Sequence, residues 1–177
     1  MNDVIDESLK ICYDVARCLK AEFQNQVMAI NDNTIIEFSK KNNRLIHSSK
    51  NSMSGCQAFY THTTPHRIII KQNVLRGREG WLGANWYALD PKKVNDRKKL
   101  FGPLKNWKGP KLVGIIALVE LICHEFAHHQ TKGHGHGFKV KYARFWDFMV
   151  SQILSGKFII PPQEVEQLKK ALEEIKA

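Results

Sequence analysis

The sequence predicts a single α+β domain in which a small antiparallel sheet packs on a central buried helix and flanking helices. Three observations carry this expectation: helical periodicity in the first 23 residues, short β-branched runs between residues 34 and 71, and a helix after residue 112 that is apolar on nearly every side. With 177 residues, 43% of them hydrophobic, the chain can bury one core and is too short for two comfortable ones. The domain is therefore expected to span 1–177, with an insert at 76–110 and a short terminal helix at 163–176.

Residues Asp3 to Phe23 place Ile5, Leu9, Cys12, Ala16, Leu19 and Phe23 on one stripe, the mark of an amphipathic helix packed on a core. After the polar run Asn31-Asp32-Asn33, the segment Thr34–Phe38 reads as a strand, and Arg44-Leu45-Ile46 follows a polar turn at Lys40–Asn43. Ser48–Gly55 is small and polar, a loop. Gln57–Thr61 and Arg67–Lys71 read as two further strands with Pro65 between them. The predicted central helix runs from Leu112 to Gln130 and ends at the glycine-rich Gly133–Gly137. Phe138–Leu154 resumes helical spacing with Phe138, Tyr142, Phe145 and Met149 on one face, and Pro161-Pro162 precedes the last helix.

The longest apolar stretch, Val113–Cys123, is broken by Gly114 and Glu120 and falls short of the ~20 residues a membrane span needs. The acidic start, Asn2-Asp3-Val4-Ile5-Asp6-Glu7, lacks the basic and then apolar run of a secretory signal. A cytoplasmic location is expected, or a nucleoid or nuclear one if DNA is bound, with no membrane partner. Cys12, Cys18, Cys56 and Cys123 form no Cys-x-x-Cys pair and read as small hydrophobes in a reducing compartment.

Five of eight histidines fall between 124 and 136, in His124-Glu125-Phe126-Ala127-His128-His129-Gln130-Thr131-Lys132-Gly133-His134-Gly135-His136. Residues four apart on a helix project from one face, so His124 and His128 can reach a single ion at ~2.0–2.1 Å. Glu125 lies beside them, suited to act on a zinc-bound water as general base and then to return the proton to a departing amine. A catalytic zinc takes three protein ligands and keeps one position open. His134 is the first candidate for the third ligand, because flanking glycines let the chain leave the helix and turn back; His136 is a substitute and His129 a weaker one. Glu120, one turn before His124, is a candidate acceptor for the free ring N–H of a ligating histidine. His47, His62 and His66 read as ordinary surface or loop residues.

The helix Leu118–His128, followed by Gly133-His134-Gly135-x-x-Phe138-Lys139, resembles the SprT-like zinc metallopeptidases of the Spartan type. The resemblance implies a compact zincin-like, minigluzincin core, a peptidase activity and Zn2+ as cofactor. It places the metal on His124, His128 and His134 and the catalytic carboxylate on Glu125. It further implies that an upstream strand, Arg67–Lys71, pairs with extended substrate backbone. The resemblance is specific over about 112–139 and architectural over the first 75 residues. Arg76–Pro110 matches no part of it, and the cysteines for the family's frequent zinc ribbon are absent from the sequence.

Charge is unevenly spread. Between Arg76 and Lys111 ten cations face three acids, so this stretch carries +7 of the chain's net +10. Trp81, Trp86, Tyr87, Phe101 and Trp107 interleave with them, a combination that can hold phosphates and stack unpaired bases. Single-stranded DNA is thus a candidate partner beside the protein or peptide substrate; in the plainer reading the tryptophans fold the loop onto the core.

The function expected is zinc-dependent endopeptidase action, on DNA-associated proteins if the insert binds DNA. The alternative is a nucleic-acid-binding module with a structural zinc, which would have no use for Glu125 or an open coordination position. A YbeY-type ribonuclease shares the histidine spacing but has glycine where Glu125 stands. Metzincin peptidases share it too, but Thr131 occupies the place of their turn glycine.

Overall fold

A computed structural model describes residues 3–23, 35–38, 58–61, 65–70, 114–129, 131 and 133–177. Four helices and three strands are found among them: α1 (Asp3–Phe23), β1 (Ile35–Phe38), β2 (Ala58–Thr61), β3 (Arg67–Ile70), α2 (Ile115–Ala127), α3 (His136–Leu154) and α4 (Pro162–Lys176). The α+β class holds. The turn at Lys40–Asn43 with Arg44-Leu45-Ile46 after it, the basic insert 76–110, His47, His62 and Cys56 lie outside the described residues.

Helix α1 buries Ser8, Cys12, Val15, Leu19 and Phe23, with Leu9 and Ala16 only partly covered. The buried stripe is thus centred on Val15 rather than Ala16, and Phe23 makes edge contacts with Phe145 at 5.0 Å and Phe148 at 5.6 Å. Cys12 and Cys123 are buried and free, and Cys18 is half-buried and free.

The sheet is mixed, not antiparallel as expected. Its order is β1-β3-β2, with β1 parallel to β3 (Ile36 opposite Ile68) and β2 antiparallel to it (Tyr60 opposite Ile68). Ile36, Ala58, Tyr60, Ile68 and Ile70 point into the core, the alternation that a sheet with one covered face requires. Arg67 Nη1 donates to Glu37 Oε2 at 2.9 Å across the parallel pair. The central place of β3 overturns a further expectation. Both its edges are taken by β1 and β2, so Arg67–Ile70 has no row of backbone groups left for a substrate strand. The outer edge of β1 is also closed: the Tyr13 hydroxyl of α1 accepts from Ile36 N–H at 3.1 Å and donates to Ile36 O at 3.0 Å.

Every residue of α2 from Ile116 to Ala127 is buried, against α1, β2 and α3. It is shorter than the sequence suggested, because the chain kinks at Gly114 and leaves the helix after Ala127. Helix α3 buries Phe138, Tyr142, Phe145 and Met149 as expected, together with Trp146, Val150 and Ile153. Pro162 opens α4 at a position where its missing N–H costs nothing. No helix among the described residues is long and apolar enough to cross a membrane.

The start of α2 is closed by another helix. Gly114 takes φ +96° and ψ −150°, a conformation essentially confined to glycine, and carries no capping side chain. In place of one, the Glu164 carboxylate of α4 sits against it, where a Cβ on residue 114 would fall 1.7 Å from Oε1. Burial raises the Glu164 carboxyl above its ordinary value, while the backbone N–H groups of Ile116 and Ile115 oppose that rise by bonding the charged form. Gly114→Ala is therefore expected to lose about 1–3 kcal/mol to backbone strain, and more as Glu164 is displaced from the helix end. Urea unfolding checks this; a midpoint equal to wild type would refute it.

Candidate metal centre

The triad assembles from a rigid half and a looped half. His124 lies in the last turn of α2 and His128, one turn on, caps its C-terminal end, their ring centroids 5.2 Å apart at 74°. The chain then turns: His129 N–H donates to Phe126 O at 3.0 Å and Thr131 N–H to His128 O at 2.9 Å. Gly133, with φ +72° in the left-handed region, reverses it so that His134 comes back over the helix. Gly135, at φ −71°, needs no such freedom. The His134 ring lies 5.2 Å from His124 and 4.8 Å from His128.

His124 Nε2 and His134 Nε2 are 3.3 Å apart. A tetrahedral ion bound at ~2.0–2.1 Å separates its nitrogens by about 3.3–3.4 Å, so this spacing suits two ligands of one metal. One donor atom from each of His124, His128 and His134 lies within 4.8 Å of the others, and this group can hold a metal ion. Burial grades across it: His124 is buried, His128 half-buried and His134 exposed. One side is embedded in protein and the other opens to solvent. Burial, and then the neighbouring His128 and His134, push the His124 imidazole well below its ordinary value. It stays neutral, the state in which a ring nitrogen offers its lone pair.

Phe138 is the floor of this group. Its ring lies 4.8 Å from His124, 4.5 Å from His128 (stacked) and 4.7 Å from His134. Tyr142, one helical turn on, stacks on Phe138 at 5.9 Å and meets the edge of His124 at 5.6 Å. Helical spacing marked both as core residues, and nothing in the pattern alone showed that their core is the wall of the triad.

Two buried carboxylates flank His124 in sequence. Glu120 accepts a hydrogen bond from the Tyr142 hydroxyl. Burial raises its carboxyl to about 8, against the lowering effect of that hydrogen bond and with a further rise from Glu125. Its described partner is thus a tyrosine of α3 and not a ring N–H. Glu125 is 4% exposed, and burial raises its carboxyl to about 8. Its Oε2 has no hydrogen-bond partner among the described residues. A buried carboxylate oxygen without a donor is costly, and it marks a place where a cation, a water or a substrate belongs.

The other histidines separate cleanly from the triad. His136, the substitute ligand, is exposed as the first residue of α3 and is not one of the three converging groups. His129, the weaker candidate, turns toward the sheet, where its Nδ1 shares a 3.0 Å hydrogen bond with the Tyr60 hydroxyl. His66, expected to be an ordinary loop residue, packs 5.6 Å from Tyr60 and 5.5 Å from His129. Comparison with family models, curated proteins and solved structures finds no match to the chain.

Proposed function

We propose that this protein is a zinc-dependent endopeptidase of SprT-like, zincin type. The observation that carries the reading is the convergence of His124, His128 and His134, together with Glu125, a buried carboxylate next to His124 on α2 whose Oε2 lacks a donor among the described residues. Three convergent imidazoles with an open side suit Zn2+ in its catalytic form, whereas a structural site would close the fourth position with a protein ligand. Bound there, zinc would polarise a peptide carbonyl and bring the pKa of a coordinated water to about 7.

The chain's own groups supply the rest. His124 holds its ring on a helix that is buried along its length, His128 caps that helix, and His134 completes the set from the loop side. Glu125 accepts the proton of the attacking water and later delivers it to the departing amine. A carboxyl raised by burial is a poor base by itself, but a nearby cation favours its charged form and brings it into the working range. The +7 stretch between Arg76 and Lys111 supports DNA-associated proteins as the substrate class.

The test is metal analysis of purified protein paired with a casein-cleavage assay, with and without single-stranded DNA and with a chelator. About one zinc per chain and chelator-sensitive cleavage are expected. Stoichiometric zinc without cleavage under any of these conditions would favour the structural-zinc reading instead.

A further inference from the structure

We infer that Tyr60 and Lys141 are positioning residues for the metal site: together they clamp His129 and so fix the turn that carries the chain from His128 to His134. The inference rests on the metal reading of the triad and extends it to two residues outside the triad.

The clamp is built from opposite sides. From the sheet, the Tyr60 hydroxyl meets His129 Nδ1 at 3.0 Å, and the two rings stand 6.1 Å apart at 66°. His66 backs this contact with its ring set edge-on to His129 at 5.5 Å, and its own Nδ1 lies 3.2 Å from Thr61 O. From α3, Lys141 Nζ donates to the backbone carbonyl of His129 at 2.6 Å. Lys141 is only 9% exposed. Lysine is almost never buried this far without a task, and here its ammonium satisfies a carbonyl at the end of α2.

The turn needs fixing because His128 is the last rigidly held ligand. Beyond it, the carbonyls of the final helical turn have no intrahelical donors, and helix ends fray. Thr131 closes two of them, through N–H to His128 O at 2.9 Å and Oγ1 to Ala127 O at 2.5 Å. The His129 carbonyl falls to Lys141, and its ring to Tyr60. With the turn held at both points, His134 returns over His124 in one geometry. With either point released, the loop samples others and the metal must select among them. Groups that orient ligands from outside the coordination shell typically change metal affinity about 10–100-fold.

The full-length chain is the material for the test, as wild type, Tyr60→Phe and Lys141→Met. Zinc affinity is read by competition with a chromophoric chelator, geometry by the visible absorption of the Co2+ form, and folding by thermal unfolding after metal removal. Tyr60→Phe deletes one hydroxyl, so its metal-free unfolding should stay near wild type while its zinc Kd rises about tenfold or more. The Co2+ band should shift or broaden in both variants. If Lys141→Met destabilises the metal-free fold, Tyr60→Phe still decides. Wild-type zinc uptake with a Tyr60→Phe affinity within about twofold and an unchanged Co2+ spectrum overturns the clamp alone. A wild-type protein that takes up no metal overturns the metal reading, and the clamp with it.

Discussion

Glu125→Gln is expected to leave zinc uptake unchanged and to lower peptide hydrolysis by about 10²–10⁴-fold, the range that a positioned general base contributes. Glutamine has nearly the volume of glutamate, so the buried site keeps its packing, but the amide can neither accept the water's proton nor hand it on. Loss of activity through misfolding would give the same assay result, and pH separates the two. In the metal-free protein the Glu125 carboxyl titrates near 8, above its ordinary 4.5. The folded state therefore binds a proton that the unfolded state has released between those values, and stability falls as pH rises through that window. Glu125→Gln removes this liability. The variant should be at least as stable as wild type in chelator at pH above 8. Full proteolysis by the variant would remove Glu125 from the chemistry; a marked loss of metal-free stability would say that it serves the fold.

How legible was this arrangement in the amino-acid order? Contacts set by helical spacing were plain. His124 and His128 share a face because they are four apart, and Phe138, Tyr142, Phe145 and Met149 bury together for the same reason. The return of His134 was also readable, since glycine at 133 is the residue that a left-handed reversal favours. Contacts between distant elements were not. Short β-branched runs carry no direction, so nothing in Thr34–Phe38 told whether it would lie parallel or antiparallel to Arg67–Ile70, nor that the latter would be central. Tyr13 is not in the predicted stripe of α1 and is exposed, yet its hydroxyl closes the edge of β1, 23 residues away. Glu120 meets Tyr142 across 22 residues, and Lys141 reaches back 12 to His129. Each of these is a polar side chain that finds its partner only once the helices and sheet have packed, and periodicity does not encode such partners.

His134→Ala is expected to abolish stoichiometric zinc binding, while His136→Ala binds like wild type. Both histidines are exposed and sit two residues apart between glycines, so local stability should respond alike to either change. Their geometry differs. The His134 ring closes on His124 and His128 at 5.2 and 4.8 Å, and its Nε2 lies 3.3 Å from that of His124. His136 begins α3 and stands outside this group. Loss of one of three protein ligands should exceed the roughly 10–100-fold typical of an outer partner. Alanine at 136 meanwhile sits in the first turn of a helix it favours. Zinc titration of the two variants, with thermal unfolding in chelator as the control for folding, reads the difference directly. Equal zinc affinities would break the triad, and metal lost only from His136→Ala would move the third ligand onto α3. In that case Phe138, which now packs against all three rings, could no longer be the common wall of the ligand set.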